Sequence, residues 1–323
     1  MRCLIASVLL GLAAAGHLHA QGAASYPSKP IRIIVPFSPG GPADMLARPL
    51  GQGLTEAWGH QVIVDHRAGA GGIVGAELLS KAAPDGYTVM ITTQGIAAVN
   101  PSLHKRLPYD TLRDFVGVTN AVGSANIMVV HPSLPATTVT DVIRIARSRP
   151  GQMSYGSAGN GSASHLGTEM FKSMAKVNIV HVPYKGAAPG VTDLIGGHVQ
   201  LMIIGIPVAL PQVRAGKLKA IGVTTQARSP AAPDIPTLNE SGLPGYVVLN
   251  WYGVLAPAKT PREIVAKLQM ELHRILHAPE MKSRMQAQGM EPIANTPDEF
   301  DAHIRSELVR WAKVVKDAGL KPD

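Results

Sequence analysis

Residues 36–44, PFSPGGPAD, stand between the apolar run IRIIV (31–35) and the amphipathic stretch MLARPLGQGLTEAWG (45–59). A buried-type strand that ends in Pro-Gly-Gly and is followed by an acid predicts a strand–turn–helix unit. Gly40 and Gly41 permit close backbone approach, and Asp44 is placed to cap a helix over 45–58. The N-terminus of a helix carries unsatisfied N–H groups and the positive end of the macrodipole, so such a turn is a ready anion site.

The same grammar continues on both sides. QVIVDH (61–66), a helix over 74–83 and TVMITT (88–93) complete a first α/β unit. Near-continuous apolar strands between amphipathic helices predict a parallel sheet covered on both faces. A second unit runs through MSYGS (153–157), SHLGTEMFKSMA (164–175), NIVHVPY (178–184) and VQLMIIG (199–205). Within it, SYGSAGNGSASH (154–165) repeats the device of strand, Gly-rich turn and helix start, with Gly159 and Gly161 ahead of Ser162 or Ser164. Either loop alone is equally an ordinary turn; two equivalent loops in two lobes favour a shared site. One helix terminus supplies about 0.3–2 kcal/mol, whereas micromolar binding needs about 8 kcal/mol. Several charge-assisted bonds, at roughly 1.5–3 kcal/mol each, must therefore converge.

The expected boundaries are a signal peptide over 1–24, a first lobe from 25–124 and 226–323, and a second lobe over 125–225. Arg2, an apolar run to Ala15 and a small-residue cleavage region ending at Ala20 or Ala24 read as a secretory signal. Cys3 is the only cysteine and lies inside it, so the mature chain has no thiol for a disulfide, a nucleophile or a metal. The extended stretches 116–134 and 220–238 are the candidate crossings between lobes, and two amphipathic helices, 261–277 and 297–318, are expected to pack back on the first lobe. Lys plus Arg number 30 against 22 Asp plus Glu. That balance would suit nucleic acid, yet export removes this partner, and no basic run or aromatic cluster accompanies the charge. Positive potential instead suits small anions.

A family resemblance rests on YPSKPIRIIVPFSPGGPAD, AGAGG, APDGYT, LPYDTLRDF, PGQMSYGSAGNGSASHL, HVPYKGAAPGVTDLIGGHV, IPTLNESGLPGY and GMEPIANTPDEF, in this order from Tyr26 onward. The chain resembles the tripartite tricarboxylate transporter receptors, also called Bug receptors. The resemblance implies a two-lobe, type II Venus-flytrap α/β fold and a periplasmic receptor that delivers a small organic acid to the membrane permease subunits of a tripartite transporter. It also implies a monomer that needs no cofactor or metal. Carried over residue by residue, the ligand site is Phe37, Ser38, Pro39, Gly40, Gly41, Asp44, Thr93, Gln94, Ser157, Gly159, Gly161 and Ser162. Ile204 and Gly205 stand where many members have an Asp followed by a polar residue, which argues against an amino-acid ligand.

Other chemistries fit less well. GAGGIVG (69–75) has the glycines of a turn rather than the dinucleotide spacing. A secreted hydrolase acting on small esters is the enzyme alternative, but GSAGNGSASH lacks the GxSxG pattern, and a helix-start Ser162 with a first-turn His165 reads as cap and packing. His165 and Glu169 share a helix face without a third ligand. A sensor-input binding protein is a further alternative. Lys185 could meet an anion from the strand end at HVPYKG, and Trp251 and Tyr252 are expected in the core at the lobe junction.

Overall fold

The computed structural model describes residues 25–317, so the expected signal peptide lies outside the described residues. The first lobe starts with β1 (Ile31–Val35), α1 (Pro42–Trp58), β2 (Val62–His66), α2 (Ile73–Ser80) and β3 (Thr88–Thr93). β1 lies between β2 and β3 and pairs parallel with both, in the doubly wound manner that strand–helix–strand units impose. A π-helical turn (Gly95–Val99) and the short α3 (Asn100–Leu103) and α4 (Thr111–Asp114) lead to β4 (Phe115–Val130).

β4 is the first crossing. Its 16 residues serve both sheets. The first part, through Ala125, pairs antiparallel with β9 (Leu249–Pro257), and the part from Asn126 onward pairs with β7 (Leu201–Gly205) and β8 (Lys219–Val223). The second lobe adds α5 (Val139–Ser148), β5 (Ser154–Ser157), α6 (Ala163–Ala175), β6 (Val180–Pro183), α7 (Ala187–Ile195) and α8 (Ile206–Arg214). Here β5 lies between β6 and β7 and is parallel to both. After β9 the chain completes the first lobe with α9 (Arg262–His277), α10 (Pro279–Ala287), β10 (Met290–Pro292) and α11 (Pro297–Asp317).

Each lobe has its own apolar core. Leu46, Leu50 and Leu54 of α1 pack with Ile33 and Val35 of β1 and with Leu268 and Leu272 of α9. Each such side chain, fully buried, contributes about 1.5–3 kcal/mol. Phe300 and Ile304 of α11 also bury against the first lobe, as expected for both C-terminal helices.

The expected return at 225/226 moves to Leu249. Leu238, Leu243, Tyr246 and Val248 are buried in one cluster with Tyr155 and Ile203, so residues 226–248 stay with the second lobe. The Pro-rich stretch reads as a linker by composition but carries apolar side chains that need a core.

Candidate functional site

The parallel strands of both lobes point their C-terminal ends at the space between the lobes, where open α/β sheets place ligands. Val35 ends β1 and Thr93 ends β3 from one side, while Ser157, Pro183 and Gly205 end β5, β6 and β7 from the other. The lobes touch across this space. The Ser38 N–H and Oγ both donate to the Lys185 carbonyl, at 3.1 and 2.9 Å. A Cβ on Gly71 would stand 2.0 Å from the Asn160 carbonyl oxygen, so the two loops meet backbone to backbone.

Between them lies a cavity of ≈ 50 Å³. Four helices begin at it: α1 through Gly41, Pro42 and Ala43, α6 through Ser162, Ala163 and Ser164, α7 through Ala187, and α8 through Gly205. Only the first and second of these starts are legible as Gly-rich loops. Among the described residues no Asp, Glu, Lys, Arg or His lines the cavity; Thr93, Asn126, Asn250 and Tyr252 supply side-chain polar atoms, and Phe37 and Ile204 supply apolar surface. Asn126 is buried, and its Nδ2 has no partner among the described residues. Asn250 Nδ2 donates to Tyr252 Oη at 2.9 Å. Burial pushes the Tyr252 phenol up, so it stays a neutral hydrogen-bonding group.

The expected site residues divide into two groups. Phe37, Gly41, Thr93, Ser162, Ile204 and Gly205 line the cavity. Ser38, Pro39, Gly40, Asp44, Gln94, Ser157, Gly159 and Gly161 do not. Ser38 makes the interlobe contact described above.

Asp44 does not begin a helix. α1 starts at Pro42 with Gly41 as its N-cap, and the Asp44 carboxylate reaches back to accept the Gly40 N–H at 2.9 Å. His66 Nε2 lies 2.7 Å and Arg48 Nε 2.9 Å from Asp44 Oδ1. Burial works to raise this carboxyl, but the Gly40 N–H, Arg48 and His66 outweigh it and hold it below the usual range. The left-handed backbone of the turn belongs to Gly40 (φ 82), whereas Gly41 is extended (φ −86).

Gln94 turns its amide the other way, donating to the buried Glu307. In the second lobe, Ser157 Oγ meets His181 Nε2 at 2.6 Å and receives the Gly159 N–H at 3.1 Å. Gly161 (φ 72) packs on Asn100, whose Oδ1 would lie 2.1 Å from any Cβ there. These residues shape the loop and its contact with the first lobe.

Ser162 caps α6 by accepting the His165 N–H, while Ser164 Oγ receives the Ala158 N–H. His165 Nδ1 accepts from the Gly161 N–H at 3.2 Å and its ring stacks on His181, so it does not activate Ser162. Burial pushes the His165 imidazole down, and burial together with the neighbouring His165 pushes His181 down to about 4. The Lys185 side chain is exposed, and its carbonyl rather than its ammonium serves the cleft.

The sequence reading missed Asn126, Asn250, Tyr252 and Ala187. For α1, α7 and α8 a signal was present: each begins after a glycine with a proline in its first turn, as Gly41-Pro42, Gly186 with Pro189, and Gly205 with Pro207. Proline is tolerated there because those N–H groups have no intrahelical acceptor.

Residues 46–320 match the tripartite tricarboxylate transporter family receptor. Protein BugT of Bordetella pertussis is 36% identical over 99% of this chain and 99% of its own. A structure of R. palustris Rpa4515 with adipate is 38% identical with a TM-score of 0.90, covering 93% of this chain and all of that one. MatC of Rhodopseudomonas palustris with bound malate is 30% identical with a TM-score of 0.86, covering 90% of this chain and all of that one. Among the described residues, no helix is long and apolar enough to cross a membrane. With its two-lobe binding-protein fold and helix-terminated cleft, the chain belongs to the tripartite tricarboxylate transporter receptor family, whose members are periplasmic solute receptors.

Proposed function

We propose that this receptor captures a small organic acid in the interlobe cavity, as a monomer without enzymatic activity, and presents it to the permease subunits of a tripartite transporter in the periplasm. The observation that carries this reading is the convergence of four helix N-termini, one from the first lobe and three from the second, on a cavity whose lining, among the described residues, has no charged side chain. Backbone N–H groups at helix starts hold a carboxylate without a compensating Lys or Arg. Phe37 and Ile204 suit a hydrocarbon backbone, and Asn126 Nδ2 is a donor free for a second polar end. The absence of an ionised acid from the lining disfavours an ammonium group, since an unpaired buried charge costs several kcal/mol.

The test is mass spectrometry of gently purified protein followed by calorimetry with adipate and malate, the acids held by the two neighbouring structures. A co-purified small acid, or binding of a dicarboxylate, is the expected result. Ester turnover without binding of any acid would replace this reading with hydrolysis.

A further inference from the structure

Beside the crossing strands lies a second and larger cavity, ≈ 350 Å³ against ≈ 50 Å³ for the cleft. Trp251 lines it, the next strand residue, Tyr252, lines the cleft, and Asn250 borders both. One wall comes from the second lobe through Pro230 and Ala231, the other from the first lobe through Ile293 and His303. We propose that this cavity is a second ligand site, for a small neutral carboxamide that presents N–H donors at one end of an apolar body.

Two buried acceptors there lack partners among the described residues. Gln94 is 2% exposed and Asn120 5%, and Gln94 Oε1 and Asn120 Oδ1 have no hydrogen-bond partner. The orientation of Gln94 is not free to reverse. Its Nε2 donates to Glu307 Oε2, and the same oxygen receives the Trp251 and Trp311 indole N–H groups at 3.4 and 3.1 Å. A carboxylate so surrounded accepts only, so the Gln94 carbonyl must face away from it and stays unmatched. His303 Nε2, on the same wall, is likewise unpartnered. A carboxamide supplies two N–H donors for the acceptors and a carbonyl for a ring N–H of His303.

The charges of the lining speak against an anion here. Arg310 is engaged by Glu307 at 3.1 Å, and Arg228 by Glu240 at 2.7 Å. Exposed apolar surface completes the site, with Leu249 54% and Ile293 41% accessible at its edge. An aryl or alkyl body would cover them.

Benzamide is the probe, and the Trp251 indole N–H resonance in ¹H–¹⁵N spectra is the readout. Saturable displacement of that resonance with a roughly millimolar Kd is expected, the range open to so small a molecule. The Trp58 resonance should stay still. Asn120→Leu removes an unpaired acceptor without leaving one behind, so it should retain the thermal midpoint and weaken benzamide about tenfold or more. Ala231→Trp, on a partly exposed loop, fills the cavity and should abolish binding even if the first variant folds poorly. Absence of a saturable Trp251 shift in the unmodified protein would overturn the site, as would binding that survives in both variants. The titration uses no cleft ligand, so its result is independent of the carboxylate reading.

Discussion

The two Gly-rich loops share one sequence grammar but are satisfied differently. In the first lobe α1 begins at Gly41 and Pro42 with no side-chain cap, and its acid, Asp44, is held by Gly40, Arg48 and His66. The second lobe spends hydroxyls on itself: Ser162 caps α6, Ser164 holds Ala158, and Ser157 joins His181. One loop is therefore anchored by ionic contacts and the other by neutral ones. The difference shows that a loop's glycines set where the backbone can go, while its other side chains decide how much of the helix terminus is left for a ligand.

The largest expected effect tests the first loop. Gly41 is extended, and the nearest atom to an added Cβ is the Ser38 carbonyl at 3.7 Å, so Gly41→Val should fold. Its branched side chain would stand at the cavity wall and should weaken acid binding about 100-fold or more, roughly 2.7 kcal/mol. Calorimetry on a variant with an unchanged melting point decides it; unchanged affinity would remove the first loop from the site. The matching change in the second lobe is no clean comparison, because Gly161 has φ 72 and faces Asn100 rather than the cavity.

Acid should separate the loops next. His181, at about 4, lies below the ordinary value near 6.5, so the stability it confers is complete above about pH 6.5 and is lost as pH falls towards 4. That loss is on the order of 2 kcal/mol once partial solvent screening is allowed for. Asp44 is depressed from 3.8, so its contribution is present above that value and is lost only as pH falls through its lower folded value. Hydrogen exchange between pH 7 and 4, corrected for intrinsic rates, should show β5 and β6 loosening before β1 and α1. The reverse order would break the contrast.

A smaller effect sharpens what both loops leave out. A plain dicarboxylate should bind about tenfold tighter than its α-amino analogue, ~1.4 kcal/mol, and Ile204→Asp should narrow the gap. Calorimetry with both ligands on both proteins measures it, and an amino acid that binds the unmodified protein equally well would place an ammonium partner elsewhere. The smallest expected change is Ser162→Ala, which removes the α6 cap and should cost about 1 kcal/mol in urea unfolding. No loss would mean that the hydroxyls of this loop add nothing to the fold.

Local features were the legible ones. The strand before Pro36 and both Gly-rich loops follow from apolar runs and turn residues, although Pro42 and Ala43 read as turn and proved to be the first helical positions. What escaped depends on distance in the chain. Asn126 and Asn250 reach the cavity because two strands far apart in sequence cross between the lobes side by side. Gln94 leaves it because Glu307, more than two hundred residues later, captures its amide. Residues 226–248 read as part of the first lobe until Leu238 and Tyr246 are seen in the second core.

The place of β9 between β3 and β4 also sets an order of assembly. The second lobe is one unbroken segment ending before Leu249, so all the strands of its own sheet are available before β9 emerges from synthesis. The first lobe cannot close its sheet until β9 arrives, and α9 and α11 must follow to cover it. Until then β3 presents an unpaired edge, the kind of surface that invites pairing with another chain. The lobe made first is thus the one finished last, and a chain stopped before Leu249 carries a completed second lobe beside an open sheet.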